Sequence, residues 1–169
     1  MAEKTKENDQ AKGKVRVFVY GTLKKGGVNA SLFKYCNAEW LGYDTLTGYH
    51  MLVDLGYFPA LIHDAKSTDS CKVYGQVWAG DEDMLHAIDN VEGHHTDGRP
   101  NFYTRVKRVT DHPSYRRVWV YMLGDEWVDN AVDVCENGIW NPNDDEINYW
   151  GADTLGIENK KEEKDANTG

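Results

Sequence analysis

Two short stretches of this chain carry residue types able to do chemistry. The first, VFVYGTLKKGG, Val17 to Gly27, runs a hydrophobic strand into a turn of glycines, a hydroxyl and two lysines. Backbone N–H groups freed where a strand ends, and bared by small side chains, can ring a carboxylate or another small anion without any metal. The second, DNVEGHH, Asp89 to His95, places Glu92 in the last turn of a helical pattern. There the negative end of the helix dipole disfavours a further negative charge and raises a carboxyl pKa, and shielding by aromatic side chains enlarges the shift. A glutamic acid near ~6 to 7 is an effective proton shuttle at neutral pH.

Neither stretch is decisive from spacing alone. Gly21 and Gly26 stand at the G-x-x-x-x-G interval of a phosphate loop, but Gly27 and Val28 occupy the positions where that loop needs a lysine and a hydroxyl. The dinucleotide fingerprint G-x-G-x-x-G is missing too. Spacing favours a plain tight turn shaped by Gly21, Gly26 and Gly27. It equally favours an exposed helix-end Glu92, since Asp81, Glu82, Asp83 and Asp89 on the same helix read as mostly solvated. His94, His95 and Asp97 have none of the intervals that let side chains converge on one ion, so no metal is expected. Cys36, Cys71 and Cys135 are far apart and odd in number, which suggests neither a zinc knuckle nor a disulfide framework. They read as buried or idle thiols, and nothing singles one out as a nucleophile. The ten tyrosines and six tryptophans are mainly packing material, with Tyr103 and Tyr121 as the candidate pocket residues.

These residues must be positioned by the elements around them. VRVFVY is a β-branched and aromatic strand ending at Gly21, and NASLFKYC starts a short helix with Asn29 as its cap and Leu32, Phe33 and Tyr35 as apolar contacts. Ala38 to Ile62, interrupted by Gly42, Gly48 and Gly56, reads as short strands joined by turns, and CKVYGQVWAG as another strand. From Asp81 the period changes: Met84, Leu85, Ile88 and Val91 recur at helical spacing, acids crowd the first turn, and Gly93 stands at the stop. FYTRVKRVT and RRVWVYML form two further strands about the turn DHPSY. The expected fold is a mixed α/β (α+β) domain on a largely antiparallel, barrel-like sheet flanked by short helices.

A length of 169 residues with 40% hydrophobic content suits one domain, expected over residues 15–156. Residues 1–14 and 157–169 are charged, nearly free of large apolar groups, and expected to be flexible tails. The net charge of −9, from 28 acids against 19 bases, argues against a nucleic-acid partner. No apolar run approaches the ~20 residues of a membrane span, and MAEKTKENDQAKGK lacks the apolar core of a secretory signal. The expectation is a cytoplasmic protein without a membrane partner, and a monomer, given the charged tails and the lack of a heptad pattern.

With those residues in hand, the chain resembles the gamma-glutamylcyclotransferase-like family, and within it the gamma-glutamylamine-specific branch. The resemblance rests on Tyr20, Gly21, Thr22, Leu23 and Gly26 after the first strand, then FPALI (Phe58–Ile62), GQVWAGDEDML (Gly75–Leu85), IDNVEG (Ile88–Gly93) and FYTRVKRV (Phe102–Val109) in the same order. Together they span roughly Val15 to Leu123. The resemblance implies a small, mostly antiparallel barrel flanked by helices. It implies a cavity where the backbone of Tyr20, Gly21, Thr22 and Leu23 holds the α-carboxylate end of a gamma-glutamyl group, and it makes Glu92 the general acid/base. The implied reaction is internal aminolysis: the substrate's α-amino group attacks its own γ-carbonyl, closing 5-oxoproline and expelling an amine, with no cofactor.

Elementary chemistry agrees with that reaction. Nucleophile and electrophile share one molecule, so folding the substrate into the attack conformer supplies a large effective molarity. A single carboxyl group of raised pKa can take a proton from the α-ammonium and return one to the leaving nitrogen. The loop GHHTDGRPNF is longer than the amine-specific branch leads one to expect, and His94, His95 and Arg99 on it are candidate contacts of the leaving group. The segment DEWVDNAVDVCENGIW has no counterpart in the resemblance and is expected only to pack or cover the domain. The competing reading is a non-catalytic module that keeps the cavity to bind an amino-acid-like ligand.

Overall fold

The computed structural model describes residues 14–48, 50–63, 71–114 and 116–151. Apart from Lys14, the tails expected at 1–14 and 157–169 lie outside the described residues, as does Tyr115 of the DHPSY turn. The chain runs β1 (Val15–Val19), α1 (Ser31–Tyr35), β2 (Glu39–Gly48), β3 (His50–Asp54), β4 (Pro59–His63), β5 (Cys71–Gly80) and α2 (Glu82–Glu92). It continues through β6 (Tyr103–Val109), β7 (Arg117–Leu123), a 3-10 turn (Asp125–Asn130), β8 (Asp133–Val134) and α3 (Asp144–Trp150).

The strands form one mixed sheet in the order β2-β5-β1-β7-β4-β3-β8, with β6 added on β7, and the sheet curls into a half-barrel flanked by the short helices. Most neighbours are antiparallel; β1 and β4 both lie parallel to β7. β6 occupies one edge of β7 along its whole length, from Tyr103 opposite Leu123 to Val109 opposite Arg117. β1 and β4 must therefore share the other edge, β1 meeting it at Trp119 and β4 at Met122. Two strands on one edge have to part, and the chain leaves β1 at that fork. The Tyr20 hydroxyl fills the gap, donating to the Tyr121 carbonyl and accepting from the Leu61 N–H at 3.1 Å.

Alternation along the strands builds a core on each face. Val17, Val19, Tyr121 and Leu123 pack with Phe33 of α1 and with Met84, Leu85 and Ile88 of α2. Phe18, Tyr20, Val118, Val120 and Met122 point the other way, into the hollow of the curl, and meet Leu46, Leu52, Leu61, Val73 and Val77. Each fully buried side chain of this kind contributes about 1.5–3 kcal/mol, which fixes the register as well as the fold.

The helix at residues 82–92 has the predicted ends. Asp81 accepts from the Met84 N–H at 3.0 Å as the N-cap, and Gly93 closes the helix in the left-handed region at φ 68°. Several local expectations change. Asn29 does not cap α1; Ala30 stands at that position, and the Asn29 side chain donates to the Thr22 hydroxyl instead. Tyr35 points to solvent, because α1 turns only Phe33 fully inward, where it stacks on Trp78 with ring centroids 4.4 Å apart. β2 is one ten-residue strand, and Gly42, at φ 107°, serves a bulge in it rather than a turn. Val91 is exposed, whereas Asp89 is buried. Among the described residues no helix is long and apolar enough to cross a membrane.

Candidate active site

The loop after β1 is shaped by close approaches. A Cβ on Gly21 would stand 2.6 Å from the Pro59 ring at the start of β4, so only glycine lets the loop seat against that strand. A Cβ on Gly27 would collide with the Thr22 carbonyl. The loop then closes on itself: Lys24 N–H donates to the Gly21 carbonyl (3.0 Å), Gly27 N–H to the Lys24 carbonyl (2.7 Å) and Asn29 N–H to the Thr22 carbonyl (3.0 Å). Lys25 N–H is taken by the Gln76 side chain at 2.8 Å. The N–H groups of Thr22 and Leu23 make no hydrogen bond among the described residues. The N–H groups of Gly21, Gly26 and Val28 are likewise unpaired among the described residues, so the loop keeps several unspent donors.

The C-terminal end of α2 borders the same cavity as the loop. Glu92 is partly buried against a cavity of about 430 Å³, and burial raises its carboxyl from 4.5 to about 7. The expected shift is present, and its cause is loss of solvent. Tyr20, Gly21, Thr22, Leu23, Glu92, Tyr103 and Tyr121 all border this one cavity. Phe18, Val28, Phe58 and Phe102 add apolar wall. A cavity of this size, mostly apolar with a few converging polar groups, suits a small molecule.

The three tyrosines are held neutral. Burial drives the phenol pKa values of Tyr20, Tyr103 and Tyr121 well above their ordinary value, and the nearby Glu92 charge pushes each the same way. The Tyr103 hydroxyl donates to the Pro59 carbonyl at 2.6 Å, and the Tyr121 hydroxyl donates to the Asp89 carboxylate at 2.6 Å. The Arg105 guanidinium lies 2.9 Å from the same Asp89 oxygen. Reading Asp89 as solvated missed this network, although it precedes Glu92 by three positions and so shares its helix face.

On its far side the loop is clamped by the C-terminal segment, which does more than cover the domain. The Lys24 ammonium, almost fully buried, donates to Glu146 at 2.8 Å and to the Trp140 carbonyl at 2.6 Å. Asn143 donates to the Lys25 carbonyl at 2.7 Å while capping α3 through Glu146 N–H. No sequence signal pairs residues 24 and 146.

Other candidates fall away from the cavity. His94, His95 and Arg99 are not among the residues that border it: His94 and His95 bond Asn101, His94 stands edge-on to the Tyr121 ring with centroids 6.4 Å apart, and Arg99 pairs with exposed Asp97. Among the described residues no three His, Cys, Asp or Glu side chains are placed to hold a metal ion. The three cysteines are unpaired, and burial pushes the Cys135 thiol up to about 11, away from reactivity.

Known proteins resemble the chain over this same region. A Vibrio cholerae protein provisionally named gamma-glutamylcyclotransferase is 29% identical over 106 residues, 63% of this chain and 79% of its own length. A Methanocaldococcus jannaschii protein of the same provisional name is 32% identical over 108 residues, covering 62% and 81%. The crystal structure of an AIG2-like protein from Mus musculus shares the fold, with a TM-score of 0.55 and 24% identity over 78% of this chain and 98% of that one. The model of the family described as gamma-glutamyl cyclotransferase, AIG2-like, matches residues 17–142, from the first strand through the loop, Glu92 and the Trp140 clamp. The chain belongs to that family.

Proposed function

We propose that the chain is a cyclotransferase that converts a gamma-glutamyl amine or gamma-glutamyl peptide into 5-oxoproline and a free amine, with Glu92 as its general acid/base. The observation that carries this reading is that a carboxyl group raised to about 7 borders the same small cavity as a loop with unspent backbone donors, Thr22 and Leu23 among them. The donors suit the α-carboxylate of a gamma-glutamyl head. Glu92, ionised, takes a proton from the α-ammonium; the freed amine attacks the γ-carbonyl; the protonated Glu92 returns that proton to the leaving nitrogen as its bond to carbon breaks; and the ring nitrogen gives up its second proton through the regenerated carboxylate to the released amine, which leaves as an ammonium. Proton count and charge balance without a cofactor. The cavity holds the extended substrate in the folded conformer that the ring closure needs, which is where most of the acceleration originates. Tyr103 and Tyr121 bind beside Glu92, and their high pKa values keep them from competing for its proton.

The test is 5-oxoproline release, followed by mass spectrometry, from gamma-glutamyl-lysine isopeptide, gamma-glutamyl dipeptides, glutathione and simple gamma-glutamyl amines. Wild type releases it from at least one of these, and Glu92→Gln loses the activity by at least ~100-fold while still folding. Activity of the wild type declines as pH falls through about 7, where Glu92 becomes protonated and can no longer accept. Activity that survives Glu92→Gln would sink the assignment, and no release from any member would leave a ligand-binding module.

A further inference from the structure

A separate cavity of about 210 Å³, sharing no residue with the one at Glu92, lies where the ends of β2, β3, β4 and β6 come together. Its basic groups come from three strands: His50 from β3, His63 from β4 and Arg108 from β6. His50 and His63 stand directly opposite one another in the β3–β4 register, so both rings lie on one face. Leu52 and Leu61, two residues along each strand, point into the hollow, and alternation puts the histidine pair on that same side. No carboxylate borders this cavity among the described residues, in a chain whose net charge is −9.

Each of the three groups has bonding capacity left over. Arg108 donates to the Lys107 carbonyl at 2.8 Å and to the Met122 sulfur at 3.7 Å, and no acid pairs with it among the described residues. A thioether is a weak acceptor, so most of the guanidinium's donors are unspent. His50 donates from Nε2 to the Leu46 carbonyl at 3.3 Å, which fixes the proton on that nitrogen and leaves Nδ1 bare. Nδ1 faces Gly48, where a Cβ would stand 3.0 Å from it, so the glycine keeps that edge of the ring open. The His63 ring has no hydrogen-bond partner among the described residues. Burial holds His50 below its ordinary pKa; the Leu46 carbonyl and Asp111 pull it up, and the Arg108 and His63 charges push it down. Asp111 spends one oxygen on the Thr45 and Thr47 hydroxyls, at 2.7 Å each, and stays outside the cavity.

We propose that His50, His63 and Arg108 form a binding site for a small oxyanion of the phosphate class, separate from the cavity at Glu92. Basic groups that oppose one another across a small space, with no acid among them, are stabilised by an anion placed between them. Donors arriving from three strands suit the several oxygens of a phosphate or sulfate better than a planar carboxylate. Arg108 supplies a permanent charge, and each imidazole turns a lone pair into an N–H donor when it takes up a proton. Binding and protonation therefore favour each other. The site does not depend on the reaction at Glu92.

The experiment is a sulfate titration followed through the histidine ring signals in NMR, at constant ionic strength with chloride as the balancing ion. Sulfate keeps its double charge between about pH 5.5 and pH 8, so any pH dependence belongs to the protein. Wild type shows saturable shifts of the His50 and His63 signals, with a dissociation constant at least about 10-fold smaller at the lower pH. Arg108→Gln and His63→Gln each weaken binding by about 10-fold at the lower pH. Both side chains are exposed, so neither substitution disturbs the core. No saturation, equal affinity at the two pH values, either variant binding as well as wild type, or acetate bound as tightly as sulfate overturns the site. Inorganic phosphate and glycerol phosphate, compared at the lower pH, separate two sources of the same chemistry. Tighter binding of the ester supports an oxyanion carried on a metabolite, and tighter binding of the free ion supports the inorganic species.

Discussion

Glu92 owes its chemistry to a small imbalance. Its carboxyl has lost enough water to hold a proton up to about pH 7, yet it borders a cavity and stays reachable. That imbalance is also a statement about stability. In the unfolded chain the group releases its proton near 4.5, so between there and about 7 the folded chain binds the extra proton. Stability therefore falls as pH rises through that window, and above it the buried carboxylate costs up to about 3 kcal/mol. Glu92→Gln, of the same size and without the charge, should raise the melting temperature at pH 8 and leave it nearly unchanged at pH 4.5. A melting temperature that shifts equally at both would show that the carboxyl is not desolvated. The helix pattern placed Glu92 at a terminus; the burial comes with the cavity wall, to which Tyr20, Phe58, Tyr103 and Tyr121 are brought from elsewhere in the chain.

At the scale of elements, the site depends on where α2 stops. Gly93 ends it at φ 68°, and a Cβ there would approach the Phe102 Cβ at 3.4 Å. Gly93→Ala should cost about 1 kcal/mol in denaturant unfolding and also slow turnover, because Glu92 immediately precedes the strained residue. Asp81→Ala removes the cap at the other end and should cost about as much stability with turnover kept. Equal kinetic effects from the two would separate Glu92 from the helix end. This helix was legible in the sequence because its apolar period, acidic first turn and terminal glycine all agree. The α1 cap was not, since Asn29 had a second partner, the Thr22 hydroxyl, that no local rule foresees.

The molecule as a whole holds its signature loop between two remote parts of the chain. β4 presses Pro59 against Gly21 on one side, and the C-terminal segment grips Lys24 and Lys25 on the other. Lys24 and Glu146 are buried at 3% and 0% exposure, so removing one partner strands a charge in the interior. Lys24→Met should destabilise by about 3–5 kcal/mol, and Lys24→Met with Glu146→Leu should recover most of the loss. A double variant no more stable than the single one would mean that the pair is not what holds the segment down.

Local signals sufficed for β1, β5, β6, β7 and the long helix with its terminal glycine, and the ordered motifs pointed to Tyr20–Leu23, Glu92, Tyr103 and Tyr121, which border one cavity; β8, α3 and the unbroken length of β2 carry no such signal. The sequence by itself also carried the family, since the motifs recur in order along one stretch of chain. Tertiary structure alone decided that β1 and β4 share an edge of β7, that Tyr20 fills the fork between them, that Asp89 turns inward to Tyr121 and Arg105, and that residue 24 meets residue 146. Each of these joins groups far apart in the chain, and their partners are chosen by burial: a polar group taken out of water must find whichever complementary group the packing leaves within reach.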